Sequence, residues 1–326
     1  MAHPVSLALL ASIVSAFPLQ AQTPLFVPDP GSPVTVGPGS GTVILRDVSR
    51  DGHLDMLTRH LLTRRIELLR GDGKGGFARL DSIVFEYEPG DMKLGDMNRD
   101  RIPDLVVTSN NRDFVDVLLG DGRGRFRLAN GSPFTVSRVI DTYNKRTLHL
   151  LDLNEDGNLD IATANGRLRN TVRTLLGNGR GGFSPGPIVR LDTRGNSFLL
   201  AFGDVDGDGH QDVVTASSEM DSAAVQGRVA IQHGDGRGNF RSTRGSALLV
   251  PPRPTAITLA DTDADGRLDI VTGHRGNLLS VLLNRGDGFQ PTAGSPYDVV
   301  DQVYGLTAAD VNGDQKADLL AATSTA

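Results

Sequence analysis

The chain contains no cysteine and no tryptophan, only four tyrosines and, among 33 basic residues, just four lysines (Lys74, Lys93, Lys145 and Lys316). Without cysteine there can be no disulfide, iron–sulfur cluster, thiolate zinc site or cysteine nucleophile. Without tryptophan, and with so little tyrosine, the commonest stacking platforms for sugars and single-stranded nucleic acid are missing. A formal net charge of −6 with 22% charged residues argues against a nucleic-acid surface. No stretch approaches the roughly 18 consecutive apolar residues that a membrane helix needs. No segment sustains a 3.6-residue apolar period either, so helices are not expected.

Glycine (39) and proline (17) are plentiful, and the chain is 38% hydrophobic, enough for a sizeable core. A length of 326 residues alone would suggest about two domains. At the N-terminus, Val5 to Phe17 is continuously apolar and is followed by Pro18 and the small-residue site Leu19-Gln20-Ala21. This reads as a signal peptide over residues 1–21, although only His3 and no Lys or Arg precedes the apolar run. The mature chain is then expected to be secreted, extracellular or periplasmic, with no transmembrane segment.

Self-similarity at a fixed period organises the rest. Six segments carry Asp-x-(Asp/Asn/Ser)-x-Asp-x-x-x-Asp, starting at Asp47, Asp96, Asp152, Asp204, Asp261 and Asp310, with spacings of 49, 56, 52, 57 and 49 residues. After each comes a β-branched or leucine-rich run, such as Leu105-Val106-Val107-Thr108 or Ile270-Val271-Thr272, that reads as a strand. A second apolar run then ends in a glycine turn and Phe, as in Gly71 to Phe77, Gly120 to Phe126, Gly177 to Phe183, Gly234 to Phe240 and the shorter turn ending Gly288-Phe289. Such turns are hairpin chemistry, because glycine supplies positive φ without steric cost. A third landmark, Gly-Ser-Pro, recurs at Gly31, Gly131 and Gly294. About four short strands per fifty residues predict an all-β fold, a β-propeller of four-stranded blades forming one domain over residues 22–326. Six repeat units are visible, giving six or seven blades.

Oxygen donors at positions one, three, five and nine of a tight loop suit a hard cation such as Ca2+, which takes six to eight oxygens. An EF-hand would need an acidic residue at position twelve, where Thr58, Val107, Thr163, Thr215, Thr272 and Ala321 stand instead. On these loops and turns, from about Leu25 onwards, the chain resembles the FG-GAP/VCBS repeat family, the calcium-binding blades also found in integrin α heads. The resemblance implies that the loop joins the innermost strand of a blade to the next and ligates Ca2+ through those four side chains. The strongest sets carried over are Asp204, Asp206, Asp208, Asp212 and Asp261, Asp263, Asp265, Asp269, then Asp152, Asn154, Asp156, Asp160. Asp47, Ser49, Asp51, Asp55 has a weaker serine donor. Asp96, Asn98, Asp100, Asp104 carries Arg101, and Asp310, Asn312, Asp314, Asp318 carries Gln315, where glycine is expected at position six, so weaker binding is expected there. Six calcium ions would move the formal net charge from −6 to +6. The alternative for every loop is that the acids only cap turns by accepting backbone hydrogen bonds.

Other motifs are absorbed by the repeat. Gly71-x-Gly73-x-x-Gly76 and Gly177-x-Gly179-x-x-Gly182 match a dinucleotide fingerprint but precede a strand, not a helix. Arg70-Gly71-Asp72 and Arg285-Gly286-Asp287 spell an adhesion tripeptide inside the repeated turn. The sixth unit stops soon after Asp318, and Phe26 to Val36 resembles the outer strand of a blade begun elsewhere, so a truncated last blade with an open edge near Leu319 to Thr323 is expected. Because every strong motif is periodic, the favoured function is a non-enzymatic calcium-binding module that offers one propeller face to a protein or polysaccharide. A polysaccharide lyase or sugar dehydratase is the alternative, with catalytic groups sought in the aperiodic segments 138–146 and 217–227, and a lectin is the third.

Overall fold

In the computed structural model the described residues are 33–37, 39–136, 147–165, 171–191, 199–221, 224–242, 248–314 and 316–323. The expected signal peptide, the first Gly-Ser of the Gly-Ser-Pro landmarks, Gln315 and the segment 138–146 lie outside them. All regular structure among the described residues is antiparallel strand, as the missing 3.6-residue period predicts.

Each repeat forms a meander whose sheet order is its chain order. Blade one comprises β1 (Ser40–Arg46), β2 (Asp55–His60), β3 (Arg65–Gly71) and β4 (Phe77–Val84). Blade two comprises β5 (Pro89–Gly95), β6 (Asp104–Ser109), β7 (Phe114–Gly120) and β8 (Phe126–Leu128), with β9 (Phe134–Thr135) also on β7. Blade three is β10 (Leu148–Leu151), β11 (Asp160–Asn165), β12 (Thr171–Gly177) and β13 (Phe183–Arg190). Blade four is β14 (Leu199–Gly203), β15 (Asp212–Asp221), β16 (Ala224–Gly234) and β17 (Phe240–Ser242), with β18 (Leu248–Val250) on β16. Blade five is β19 (Pro254–Ala260), β20 (Asp269–His274), β21 (Leu278–Asn284) and β22 (Phe289–Pro291), with β23 (Tyr297–Asp298) on β21. Blade six pairs β24 (Val303–Ala309) with β25 (Asp318–Thr323).

The chain forms two compact units: Phe26–Val189 carries blades one to three, and Arg190–Ala326 carries blades four to six. Within each unit the cores lie between blades. In β6, Leu105 and Val107 join Leu57, Ile66 and Leu68 of blade one, whereas Val106 joins Leu148, Ile161 and Leu175 of blade three. Successive strand residues point to opposite faces, so a strand stacked on both sides reads as continuously apolar. Likewise Ile270 of β20 packs with Val214 and Val229 of blade four, while Val271 faces Leu306 and Leu319 of blade six. No blade could bury both faces alone. In three blades the Phe that follows the glycine turn serves the same layers, Phe126 against the first core, Phe183 against the second and Phe289 against that of blades four and five.

The Gly-Ser-Pro landmarks are turns that return a fifth strand to the third. Both Ser132-Pro133 and Ser295-Pro296 are cis. The serine hydroxyls accept from Val117 N at 3.1 Å and Val281 N at 3.2 Å. In blade two Asp116 accepts from both Ser132 Oγ (2.9 Å) and the phenol of Tyr87 (2.6 Å), a buried polar cluster that ties the turn to the sheet.

Candidate metal centres

In each blade the aspartate loop joins the first strand to the second, and in the five blades with four or more strands the glycine turn joins the third to the fourth. An antiparallel meander therefore brings both to the same end of the sheet. The loops share one conformation. The position-one carboxylate accepts from the position-five and position-six amides: Asp152 Oδ1 from Asp156 N at 3.2 Å and Oδ2 from Gly157 N at 2.7 Å. Asp47, Asp96, Asp204 and Asp261 do the same in their loops, and Asp310 takes Gly313 N and Asp314 N. The position-five carboxylate accepts from position seven, as Asp208 does from His210 N at 2.8 Å. Turn capping is thus present in every loop.

Two left-handed residues close each loop of blades one to five. Position six is glycine at Gly52, Gly157, Gly209 and Gly266, with φ between 79° and 91°. Arg101 adopts φ 64° and still donates to Asp96 Oδ2 at 2.8 Å, so blade two keeps the loop shape despite the missing glycine. Position four is left-handed as well, at Arg50, Arg99, Glu155, Gly207, Ala264 and Gly313. Sequence alone does not show this second requirement, because most of these residues are not glycine.

Position nine behaves differently from the other three. Asp55, Asp104, Asp160, Asp212 and Asp269 are at most 1% exposed, whereas positions one, three and five are open or half-open to solvent. Each of these buried carboxylates latches its loop to the turn of the same blade. Asp160 Oδ2 accepts from Leu153 N at 2.9 Å and Oδ1 from Gly177 N at 2.7 Å. Asp55 bridges Val48 N and Gly71 N, Asp104 bridges Met97 N and Gly120 N, Asp212 bridges Val205 N and Gly234 N, and Asp269 bridges Thr262 N and Asn284 N. Asp318, half-buried, accepts from Val311 N at 3.0 Å. The turn lies so close to the loop that only glycine fits: a Cβ on Gly120 would meet Pro103 O at 2.3 Å, and one on Gly177 would meet Leu159 O at 2.2 Å. Burial pushes the Asp104 and Asp160 carboxyls up to about 6 and raises Asp212, overriding the two amide hydrogen bonds that each receives. A second set of bonds reaches the neighbouring blade. Gly124 N donates to Val48 O at 3.2 Å, Gly181 N to Met97 O at 3.1 Å and Asn284 Nδ2 to Val205 O at 2.7 Å.

The six loops differ in how their open carboxylates are compensated. In blade four, Asp204, Asp206 and Asp208 bring three carboxylate oxygens within 4.8 Å of one another, and in blade five Asp261, Asp263 and Asp265 do so. Either cluster could hold a metal ion. In blade five two guanidinium groups already reach in: Arg285 Nη1 donates to Asp263 Oδ2 at 2.9 Å, and Arg267 pairs with Asp265. In blade one Arg70 Nε donates to Asp51 Oδ2 at 2.7 Å and holds that carboxyl below its usual range, helped by His53 N–H. The arginines of both adhesion-like tripeptides thus serve their own blade. Ser49 Oγ is shielded from solvent and makes no hydrogen bond, so the loop of blade one keeps a spare oxygen donor at position three. In blades two, three and six the position-three side chain is an asparagine whose amide donates to the position-five carboxylate, as Asn98 does to Asp100 at 2.9 Å.

The glycine turns take the conformations their composition requires. Gly73, Gly75, Gly122, Gly124, Gly179, Gly181, Gly236 and Gly238 all have positive φ, and each turn leads into a strand, which disposes of the dinucleotide fingerprint. In the aperiodic segment 217–227 the described residues are strand: β15 and β16 continue their pairing to Asp221↔Ala224, at the sheet end away from the loops.

The model of the FG-GAP-like repeat matches residues 96–163, 152–215 and 261–321. The chain belongs to the FG-GAP-like repeat family. Each matched span runs from one aspartate loop through the next, so five of the six loops are FG-GAP loops by this measure. Among curated proteins none matches the sequence. Among solved structures, a lectin of Agrocybe aegerita that recognises non-reducing terminal N-acetylglucosamine is similar at 19% identity and a TM-score of 0.52, covering 78% of this chain and 65% of that one. The chain therefore spans about two thirds of the lectin's length. A Lactobacillus plantarum protein (12% identity, TM-score 0.53, 80% and 72% covered) and Sqt1 of Saccharomyces cerevisiae (10%, 0.50, 86% and 82%) have similar folds. At these identities the likeness is one of fold, a β-propeller of four-stranded blades.

Proposed function

We propose that this chain is an exported calcium-binding propeller module that presents one face to a protein or polysaccharide, and that its metal ions stiffen the blades and take no part in chemistry. The observation that carries this reading is the convergence of three carboxylate oxygens within 4.8 Å in the loops of blades four and five. Oxygen-only donors favour a hard cation, and Ca2+ tolerates the irregular geometry of a nine-position loop better than Mg2+. The amide bonds at these carboxylates do not use up their capacity, because each ionised carboxylate offers about four lone-pair sites. The residues that would hold the ion are those at positions one, three and five, with position nine anchoring the loop from below. In a chain without cysteine, such ions would take the stabilising part that disulfides play elsewhere. The deciding experiment is thermal unfolding of the full chain with chelator and with calcium. At a hundred times the dissociation constant each site would add about 2.7 kcal/mol, so melting should rise by several degrees, and an unchanged melting temperature refutes the reading.

The likeness to a lectin supports glycan as a ligand class and so favours a second, narrower reading, a lectin. Binding on a glycan array would establish it, and a blank array alongside an intact calcium response would leave the protein-binding module.

A further inference from the structure

In the position just before each turn residue that donates to the latch, blades two, three and five carry Leu119, Leu176 and Leu283. Blade four carries His233 there, and the side chain turns to the aspartate loop. His233 Nδ1 lies 2.8 Å from Asp206 Oδ2 and 3.6 Å from Asp212 Oδ1, and the three donor atoms all lie within 4.8 Å of one another. That nitrogen is shielded from solvent and its nearest partner is the Asp206 carboxylate, although the ring as a whole is 30% exposed. Its surroundings are ordered: Val205 N and Gly234 N fix both oxygens of Asp212 at 2.8 and 2.9 Å.

We propose that Asp206, Asp212 and His233 form a site for a first-row divalent ion of the zinc class, chemically distinct from the oxygen-only loops. Imidazole with carboxylates suits Zn2+, Co2+ and related ions, whereas Ca2+ has little use for nitrogen. Tetrahedral donors at about 2.1 Å stand about 3.4 Å apart, close to the 2.8 and 3.6 Å separations found here. Three protein donors leave a fourth position to water or to a ligand group, and Asp206 faces solvent. The inference rests on the reading of this loop as a cation site, since Asp206 belongs to both sets and Asp212 anchors the same loop, but the preference for a softer ion rests on His233.

The test uses the full chain, stripped with chelator, dialysed, and titrated with Co2+ without added calcium, which would compete for Asp206. A visible d–d absorption saturating at one equivalent per chain, and quenched by Zn2+, is expected. His233→Leu installs the residue of three other blades and should keep the fold; it should weaken Co2+ binding by more than about tenfold, as should Asp206→Asn. The calcium-dependent melting shift should persist in His233→Leu. No band in the unsubstituted chain, or a band unchanged in His233→Leu, overturns the proposal and leaves His233 as a counter-ion of Asp206. A Co2+ band lost with His233 in a chain that shows no calcium shift supports the proposal while refuting the calcium reading.

Discussion

Replacing Asp160 by alanine separates a latch from a ligand. Its carboxylate is fully buried and accepts Leu153 N at 2.9 Å and Gly177 N at 2.7 Å. Alanine leaves both buried amides without an acceptor, at about 1–3 kcal/mol each. Removing a buried charge offsets part of this loss, because a carboxyl whose pKa is raised to about 6 costs about 1–3 kcal/mol when ionised at neutral pH. With like ends of the two ranges matched, the net expectation is a loss of about 1–3 kcal/mol in urea unfolding of the full chain at pH 7. The measurement is made in chelator, where a residue acting only as a metal ligand contributes nothing. Asp156→Ala is the companion, an exposed loop acid that should change metal-free stability by less than about 1 kcal/mol. If Asp160→Ala costs under about 0.5 kcal/mol in chelator, or no more than Asp156→Ala, the latch is not structural and position nine belongs with the ligands.

The backbone of the loop can be probed at Gly266, where φ is +87° and no heavy atom lies within 4 Å of an added Cβ. Gly266→Ala should therefore cost about 1–2 kcal/mol through conformation alone, measured as a shift in urea midpoint, with the calcium response retained. His274 is buried against Thr272 Oγ1 (2.9 Å) and Ser280 Oγ (3.2 Å), and burial lowers its pKa to about 4. Its unfolded form takes a proton near pH 6.5, so stability is full above that value and falls by up to about 3 kcal/mol as pH drops towards 4. His274→Gln should flatten this part of the stability–pH curve, and an unchanged slope would contradict the assignment. Arg285→Ala frees Asp263 from its guanidinium partner. Total calcium uptake by isothermal titration should strengthen at one site, and a weakening would show that Arg285 organises the loop.

Much of the architecture is legible in the amino-acid sequence alone. The spacing of the six acid motifs and five turns sets the blade as the unit, and the Gly-Asp-Gly turns take the positive φ their composition requires. What the sequence hides is direction and depth. The four loop positions look alike as oxygen donors, yet Asp55, Asp104, Asp160, Asp212 and Asp269 turn inward while their partners face water. Periodicity shows that a residue recurs, not where its side chain points. The left-handed conformation at position four is equally invisible, since Arg50, Arg99, Glu155 and Ala264 carry no glycine signal. His233, Arg70 and Arg285 do leave a trace, a basic residue where other copies have leucine, or aspartate and asparagine. Only the register that places the end of the third strand beside the loop gives that trace meaning.

The loops therefore differ less in shape than in charge. In blades one to five the backbone is closed by the same capping bonds, and in blades one, two and four the carbonyl after the first aspartate is also held by the next blade's turn. A cation would stiffen a shape these bonds already set, chiefly by relieving repulsion among carboxylates. Blades one and five meet part of that repulsion with Arg70, Arg267 and Arg285, and blades two, three and six carry asparagine in place of one acid. Among the described residues, blade four has three open aspartates and no arginine paired to them, only His233. Residue identity alone ranks the loops starting at Asp204 and Asp261 as equals, whereas compensation ranks the first well above the second. On the calcium reading the loop of blade four should fill first and contribute most to stability.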